Sequence, residues 1–452
     1  MVNNAVRRIE SQDAAPLRRP VKGDDFVGLL VFLIPCLQFI QVKAIGLLNG
    51  SDLILMVIFI YMALRWKVQI ATRAGKWFLV LCSLWLVSQC VTDIVRHSAF
   101  IDYARGWSNI GLTIIVFLVL CTLLYGRSNL IILYGWGYAV GEIVRYFMNL
   151  DETAAADPWK FGIGDPVTLA VILLISRKEC RGHWPAVLSA TIGVINILKG
   201  YRSLGGECLA GALYLFVTSV LRNRNLPSTM LTKRSIVIIA CSILLGAAGV
   251  FGAYQYAAGS GILGEAARVK YEQQSSGQYG VLLGGRVEML GYIPAIYDSP
   301  LLGHGSWARD PKYVLAEHQA LALMGYTSAE DYSENDIEEG YIPTHSCLFG
   351  AWVDAGILGA LFWGWLLVLT AKALLRVYPS NTVILPLMCF MAFSLLWDIL
   401  FSPYGARSRI VMPYRAVMVI TCLEMVQPGI AKIAGTFVKK RRTGVVANQS
   451  YA

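Results

Sequence analysis

Long apolar runs separated by short polar segments dominate the chain. About twelve of these runs approach the ~20 residues that a helix needs to cross a bilayer. Their approximate limits are 26–42, 50–65, 77–93, 106–125, 129–148, 164–176, 184–199, 205–221, 234–256, 346–371, 382–401 and 410–427. The strands of a membrane β-barrel would instead alternate over ~10 residues, and that pattern is absent. The chain is therefore predicted to be all-α, a polytopic transmembrane bundle of about 12 spans.

The same pattern divides the chain into five parts. Polar, basic stretches over 1–25 and 428–452 predict cytoplasmic tails, the first of them disordered. The apolar runs predict a membrane bundle in two blocks, over 26–256 and 346–427. Residues 257–345 between the blocks predict a large loop domain on the outer face, since a loop of this length is more often functional than incidental.

The formal net charge of +10 is explained by membrane topology. The chain is 56% hydrophobic and only 15% charged. With the N-terminus in the cytoplasm, roughly 24 of the 39 basic residues fall on cytoplasmic segments, as the positive-inside rule requires. The charge pattern thus predicts that both termini are cytoplasmic, and it requires no nucleic-acid partner.

Several basic residues nevertheless fall at outer-face ends of the predicted spans, where the orientation rule disfavours them. A cation held near lipid is costly, so we interpret the group as a binding site for an anion at the outer leaflet. The alternative is that each side chain separately extends to the lipid headgroups. The group consists of Arg96, Arg105, Arg145, Lys199, Arg202, Arg286, Arg407 and Arg409.

The sequence lacks the common metal and nucleotide motifs. There is no G-x-x-x-x-G-K-[ST], no G-x-S-x-G and no H-E-x-x-H. The ten cysteines are scattered, with no C-x-x-C pair and no Cys/His cluster of zinc spacing. The acidic run 330–339 lacks both D-x-D spacing and the glycine of a calcium loop, and we interpret it as solvated surface. We therefore predict no metal and no cofactor.

Polar chemistry is concentrated between Gly284 and Gly359. This stretch contains Gly285-Arg286, a Pro-Leu-Leu-Gly-His-Gly run over 300–305, and His345-Ser346 just before an apolar run. A neutral imidazole at the start of a span could take a proton from an incoming hydroxyl, which makes His345 a candidate general base. His304, within the glycine-rich run, is a weaker candidate for contact with an acceptor.

The order of these motifs resembles the O-antigen ligase/polymerase superfamily. In that family the pattern reads Gly-Arg, Pro-Leu-x-Gly-x-Gly, His-Asn and Gly-x-x-Gly. Residues 199–206 also look like its Ser-Arg-Gly segment, and residues 160–166 like its Gly-x-x-x-Asn-Pro segment. The resemblance covers about 155–370. The chain departs from the pattern where Ser346 replaces the usual Asn, Tyr201 the common Ser, and Asp165 the usual Asn.

The resemblance implies a GT-C-like membrane glycosyltransferase that is metal-independent and inverts its sugar. It also implies a location in the bacterial inner membrane, with the active site facing the periplasm. The donor would be a glycan on undecaprenyl diphosphate, and the acceptor another glycan or lipid A-core. Arg202 and Arg286 would bind the diphosphate and His345 would be the general base. Arg145 and Arg105 are secondary candidates for holding the diphosphate or the glycan.

Three functions remain open at this point. A ligase of lipopolysaccharide biosynthesis passes the finished glycan to an acceptor such as lipid A-core, whereas an O-antigen or exopolysaccharide polymerase passes it to another repeat unit. Both use the same donor chemistry, and the presence of Arg202, Arg286 and His345 together favours the O-antigen ligase. The rival is a glycan or lipid transporter or flippase, although the chain does not show the two related halves that many transporters have.

Overall fold

The protein is described here by a computed structural model. It describes residues 24–43, 46–65, 67–68, 70, 72–177, 182–223, 233–326, 338–377 and 384–425. The tails predicted over 1–25 and 428–452 lie almost entirely outside these residues, as does most of the acidic run 330–339.

The described chain is mostly helical. In chain order its helices are α1 (Asp24–Cys36), α2 (Gly50–Leu64), α3 (Arg73–Arg96), α4 (Phe100–Leu124), α5 (Ser128–Met148), α6 (Glu152–Ala156), α7 (Gly164–Arg177), α8 (Trp184–Leu198), α9 (Arg202–Asn223), α10 (Lys233–Gly259), α11 (Glu265–Ser275), α12 (Gly280–Gly284), α13 (Met289–Asp298), α14 (Pro311–Leu323), α15 (Cys347–Ala355), α16 (Ile357–Val377), α17 (Leu385–Phe401) and α18 (Ser408–Met425). A 3₁₀ turn over Leu37–Phe39 follows α1, and a π-helical turn over Trp159–Ile163 leads into α7.

Within the described ranges, 5 helices are long and apolar enough to cross a membrane by length and composition. They are Arg73–Arg96, Phe100–Leu124, Trp159–Ser176, Arg202–Val220 and Ile357–Leu375. Shorter apolar helices cover Asp25–Phe39, Gly50–Leu64, Trp184–Leu198 and Leu385–Phe401. These helices confirm the mostly helical, membrane-protein class predicted from the hydrophobic pattern. Most helices begin and end within a few residues of a predicted run.

The centre of the bundle is α18. Its residues 409–423 are all buried, and it packs against α4, α16 and α17. This helix is mostly apolar and is covered by other helices, while its two buried arginines, Arg409 and Arg415, pair with Asp52 and Asp398. Aromatic rings fill the space beside it, with Phe78 stacked on Phe117 at 3.8 Å and Trp85 on Phe362 at 5.4 Å between ring centroids.

The first predicted span is shorter than expected because a hairpin follows α1. The strands β1 (Gln41–Lys43) and β2 (Leu47–Asn49) pair antiparallel, with Val42 opposite Leu48. Asn49 then begins α2, its backbone N–H donating to the Asp52 carboxylate at 2.9 Å. The run predicted as one helix over 26–42 therefore ends near Phe39.

The run predicted as one span over 346–371 is divided into α15 and α16 at Gly356, which has a φ of +67°. The segment 300–306, called here the glycine turn, packs into the break. His304 N donates to Val353 O at 2.7 Å and Gly305 N donates to Asp354 O at 3.0 Å. These bonds satisfy carbonyls that the end of α15 leaves without helical partners. The break is therefore a docking point for the turn.

The glycine turn is also bound to α3. Asp93 accepts from the backbone N–H of Ser306 at 2.6 Å and from its hydroxyl at 2.7 Å. Arg96 donates to Gly303 O at 3.1 Å and to Ser299 Oγ at 2.8 Å. The turn thus joins α3 to the C-terminal end of α15, the helix whose N-cap, Ser346, follows His345.

Helices α8 and α9 approach each other closely through glycine. A Cβ on Gly205 would lie 2.7 Å from Gly193 O, and a Cβ on Gly193 would lie 3.1 Å from Cys208 Cβ. Small residues at a crossing allow membrane helices to pack backbone to backbone. This crossing fixes the start of α9, where Arg202 lies just after the left-handed Gly200 (φ +81°).

Candidate functional site

One cavity of about 1490 Å³ brings three of the predicted site residues together. Arg202, Arg286 and His345 all line it, although they lie in three distant parts of the sequence. Its walls come from α8, α9, α10 and α11, from the loop around Arg286, and from the C-terminal end of α17.

Arg202 is oriented by neutral partners. Its Nη1 donates to Tyr254 Oη at 3.0 Å and to Gln274 Oε1 at 3.2 Å, and its guanidinium lies 4.8 Å from the centroid of the Tyr254 ring. Neither partner carries a charge, so the positive charge of the guanidinium stays available to a ligand. These contacts hold the arginine in place without neutralising it.

Arg286 lies between α12 and α13 and packs on two aromatic rings. Its guanidinium is 4.6 Å from the centroid of Phe401 and 5.3 Å from that of Trp397. Burial lowers the pKa of this guanidinium from its ordinary value, with Glu288 opposing the shift and Arg202 adding to it. An arginine nevertheless remains charged at neutral pH, and an anion in the cavity would relieve the cost of that charge.

The two rings under Arg286 belong to a helix end that is itself held in place. Asp398 accepts a hydrogen bond from Ser402 Oγ at 2.8 Å and forms an ion pair with Arg415 of the central helix α18. Trp397 and Phe401 flank this carboxylate on α17, so the ion pair fixes the wall against which Arg286 packs.

His345 is exposed to the cavity and faces a carboxylate. Its Nδ1 lies 3.4 Å from Glu288 Oε1. The next residue, Ser346, caps α15 by accepting from Phe349 N at 3.2 Å, and its hydroxyl donates to Ile399 O at 2.9 Å. Serine is among the residues favoured at helix N-caps, so Ser346 stabilises the start of α15.

The cavity carries more positive than negative charge. Lys160, Arg202, Lys270 and Arg286 line it, against the single carboxylate of Glu288. Among the residues that the structure describes, none of these four cations has a carboxylate oxygen within 4 Å. Cations clustered in a cavity without carboxylate partners create a positive potential that attracts an anion.

Other basic residues of the predicted anion-binding group have partners inside the protein. Arg145 and Arg407 share the buried Glu142 carboxylate, at 2.9 and 2.5 Å. Arg409 pairs with the buried Asp52. Arg96, as described above, binds the glycine turn. The anion-site interpretation stays a prediction for these four residues. Arg145, Arg407 and Arg409 are already paired with carboxylates inside the protein, and Arg96 donates to the neutral groups Gly303 O and Ser299 Oγ.

Two secondary candidates lie elsewhere. His304 does not line the cavity; its Nε2 is 2.7 Å from Ala295 O, and its ring packs edge-on against Tyr313. Arg105 does not line it either, and its guanidinium lies 5.9 Å from the centroid of the Trp307 ring. The acceptor contact of His304 stays a prediction, and in the structure its ring packs against Tyr313 beside the glycine turn. The role of Arg145 also stays a prediction; its guanidinium is paired with Glu142 and does not line the cavity.

Sequence reasoning missed several residues of the cavity. Glu288 stands two positions after Arg286 and could have been noticed there. Trp397 and Phe401 have the i, i+4 spacing that places two side chains on one helix face. Lys270 carries no signal in the sequence, since it belongs to an ordinary polar helix.

No protein-family model matches this chain, and no curated protein sequence matches it.

Proposed function

We propose that this protein transfers a glycan from a polyprenyl diphosphate, such as undecaprenyl diphosphate, to an acceptor hydroxyl at the periplasmic face of the bacterial inner membrane. One observation carries the proposal. Arg202, Arg286 and His345, singled out by their motifs, line one cavity whose cations lack carboxylate partners among the described residues. Diphosphate is a multivalent anion, and the planar fork of arginine binds phosphate oxygens in pairs.

The apolar part of the cavity supports a lipid-linked donor. Beyond the cations it is lined by hydrophobic residues of α8, α9 and α10, among them Val187, Leu213 and Phe251. On α9 this lining runs from Arg202 to Phe216, which is about 21 Å at 1.5 Å per residue. A diphosphate head at the cations would place its lipid chain along these side chains.

The proposed reaction is a displacement at the anomeric carbon. The acceptor oxygen forms a bond to that carbon while the bond to the phosphate oxygen breaks, and the electron pair leaves on the diphosphate. The hydroxyl proton passes to His345, and the configuration of the sugar inverts. Arg202 and Arg286 stabilise the charge that develops on the leaving group, an effect worth roughly 2–4 kcal/mol per good contact.

Glu288 orients His345 in this scheme. A proton on Nδ1 is favoured by the carboxylate 3.4 Å away, which leaves Nε2 to accept the hydroxyl proton. We expect Glu288→Gln to lower kcat by roughly 10-fold to 100-fold with little change in the donor KM, since a general base contributes about 10²–10⁴-fold. His345→Gln should remove the base entirely and cost more. Equal kcat values for wild type and Glu288→Gln would exclude this role.

The experiment that tests the proposal uses the purified full chain in lipid nanodiscs with a polyprenyl-diphosphate-linked oligosaccharide and an acceptor. We expect release of free polyprenyl diphosphate together with a longer acceptor, and loss of both in Arg286→Ala and His345→Ala. Arg65→Ala is a matched control, because Arg65 also lies over an aromatic ring, 5.9 Å from the Tyr61 centroid, without lining the cavity. Movement of intact donor across the bilayer without bond cleavage would instead indicate a transporter.

The acceptor distinguishes a ligase, which we propose, from a polymerase. Cells that lack a ligase should accumulate long lipid-linked glycans and display bare acceptor on their surface. Cells that lack a polymerase should lose long polymer and display an acceptor capped by a single repeat. A gel of surface and lipid-linked glycans separates these two outcomes.

A further inference from the structure

Two lysines line the same cavity as Arg202 and Arg286 and come from separate parts of the chain. Lys160 lies in the π-helical turn Trp159–Ile163, and Lys270 lies in α11. The scheme above gives neither of them a role. Across the described ranges, neither lysine forms an ion pair with a carboxylate.

Contacts with Asn196 and Tyr146 hold the π-helical turn, and its Lys160 lines the cavity. Trp159 Nε1 donates to Asn196 Oδ1 at 2.9 Å, and the Asn196 amide in turn donates to Thr168 Oγ1 at 2.9 Å. Behind the turn, a Cβ on Gly162 would lie 2.4 Å from the Tyr146 ring, so no side chain fits there. Single π-helical turns are rare and occur frequently at functional sites.

Lys270 is placed among other cations. Partial burial lowers the pKa of its ammonium, and the charges of Lys160 and Arg202 lower it further, while Asp157 opposes the shift. The Nζ of Lys160 itself lies 4.4 Å from the centroid of the Phe161 ring, an uncharged neighbour. Like charges held together destabilise the empty cavity, and an anion between them removes that penalty.

The charges of the cavity match the product of the proposed reaction better than its substrate. Four cations and one carboxylate leave a net charge of about +3. A diphosphate joined to a lipid and to a sugar carries about two negative charges, whereas the diphosphate released from the sugar carries close to three, because a terminal phosphate loses its second proton near pH 6. Cations that bind the more negative leaving diphosphate more tightly than the sugar-linked diphosphate lower the activation barrier of the transfer.

We propose that Lys160 and Lys270 bind the phosphate that leaves the sugar and stabilise the charge it gains as the bond breaks. This inference rests on the proposed function. As the bond between the anomeric carbon and the phosphate oxygen breaks, that oxygen keeps the electron pair, and the two ammonium groups donate hydrogen bonds to the terminal phosphate. Arg202 and Arg286 hold the diphosphate in both states.

The test compares binding of two probes to the full chain in nanodiscs: polyprenyl diphosphate, and a polyprenyl diphosphate linked to a neutral sugar. We expect Lys160→Gln and Lys270→Gln each to weaken binding of the free diphosphate about 10-fold and binding of the sugar-linked probe only about 2-fold to 3-fold. Arg268→Gln is the matched control on α11, since Arg268 pairs with Glu265 and Glu272 and does not line the cavity. Thermal unfolding of each variant serves as the control for folding.

The outcomes separate this inference from the proposed function. If wild type binds no polyprenyl diphosphate, the proposed function fails. If wild type binds it, Arg286→Ala does not, and the lysine variants bind both probes as wild type does, only the present inference fails. If the lysine variants bind both probes more weakly by the same factor, the lysines do not distinguish the charge of the leaving group, and the proposal is overturned. A loss confined to the sugar-linked probe would assign the lysines to the sugar and overturn the proposal.

Discussion

Arg286→Ala is expected to lower kcat for glycan transfer by roughly 10²–10³-fold while the protein stays folded. The guanidinium is held over Phe401 and Trp397 and lines the cavity without a carboxylate partner among the described residues, so its charge is directed at the ligand. Arg286→Lys should restore little, because an ammonium neither packs flat on the two rings nor binds two phosphate oxygens at once. Initial rates in nanodiscs over a range of donor concentrations provide the measurement.

The Arg65→Ala control should leave those rates within about 2-fold of wild type, since loss of an exposed cation–π contact costs only about 0.5–1 kcal/mol of stability. Because Arg65 also packs on an aromatic ring but lies outside the cavity, this variant shows whether removing any such arginine lowers the transfer rate. If Arg286→Ala kept the wild-type rate while remaining folded, the proposed role of Arg286 in binding the diphosphate would be refuted.

Gly303→Ala is expected to reduce the free energy of unfolding by about 2–5 kcal/mol. Gly303 has a φ of +85°, a conformation that side chains disfavour, and a Cβ there would lie 2.6 Å from Gly356 N and 2.8 Å from Val353 O. All of these atoms belong to the backbone and cannot rotate away. The change should therefore separate the glycine turn from the break between α15 and α16 and lower the unfolding temperature of the protein in detergent.

Gly364→Ala provides the comparison in the neighbouring helix. No atom lies within 4 Å of a Cβ at Gly364, and the residue has ordinary helical backbone in α16. Alanine there should raise the free energy of unfolding by about 0.5–1 kcal/mol, because glycine weakens a helix interior. A Gly303→Ala protein with an unchanged unfolding temperature would show that the turn has room for a side chain, contrary to the packing described here.

Part of the candidate site was predictable because its motifs are local. Arg286 and His345 stand in short polar segments beside long apolar runs, and such segments are conspicuous in a chain with only 15% charged residues. The remaining basic residues showed the limit of this reasoning. Arg145, Arg202 and Arg407 look alike at the ends of predicted spans, yet Arg145 and Arg407 share Glu142 while Arg202 has only uncharged partners.

The glycine turn shows a second limit. Its Gly-His-Gly run was predicted to be part of a reaction site. In the structure, the turn donates hydrogen bonds to carbonyls at the end of α15 and to Asp93 of α3. Neither partner is near it in sequence. A break at Gly356 inside an apolar run is likewise invisible to hydrophobic periodicity, because both halves remain apolar.

The sequence by itself determined the helical membrane class, the approximate limits of most helices, and the candidacy of Arg202, Arg286 and His345. The class and the helix limits follow from the composition of short windows, since hydrophobicity and helical periodicity are local properties. The three site residues were candidates because the short motifs around them resemble those of a known family. Only the tertiary structure decided which cations are neutralised and which are not, and it alone brought Lys160 and Lys270 to the same cavity. Arg145 has its partner three residues away, but Arg407 and Arg409 pair with Glu142 and Asp52, which lie hundreds of positions away and are brought near only by packing.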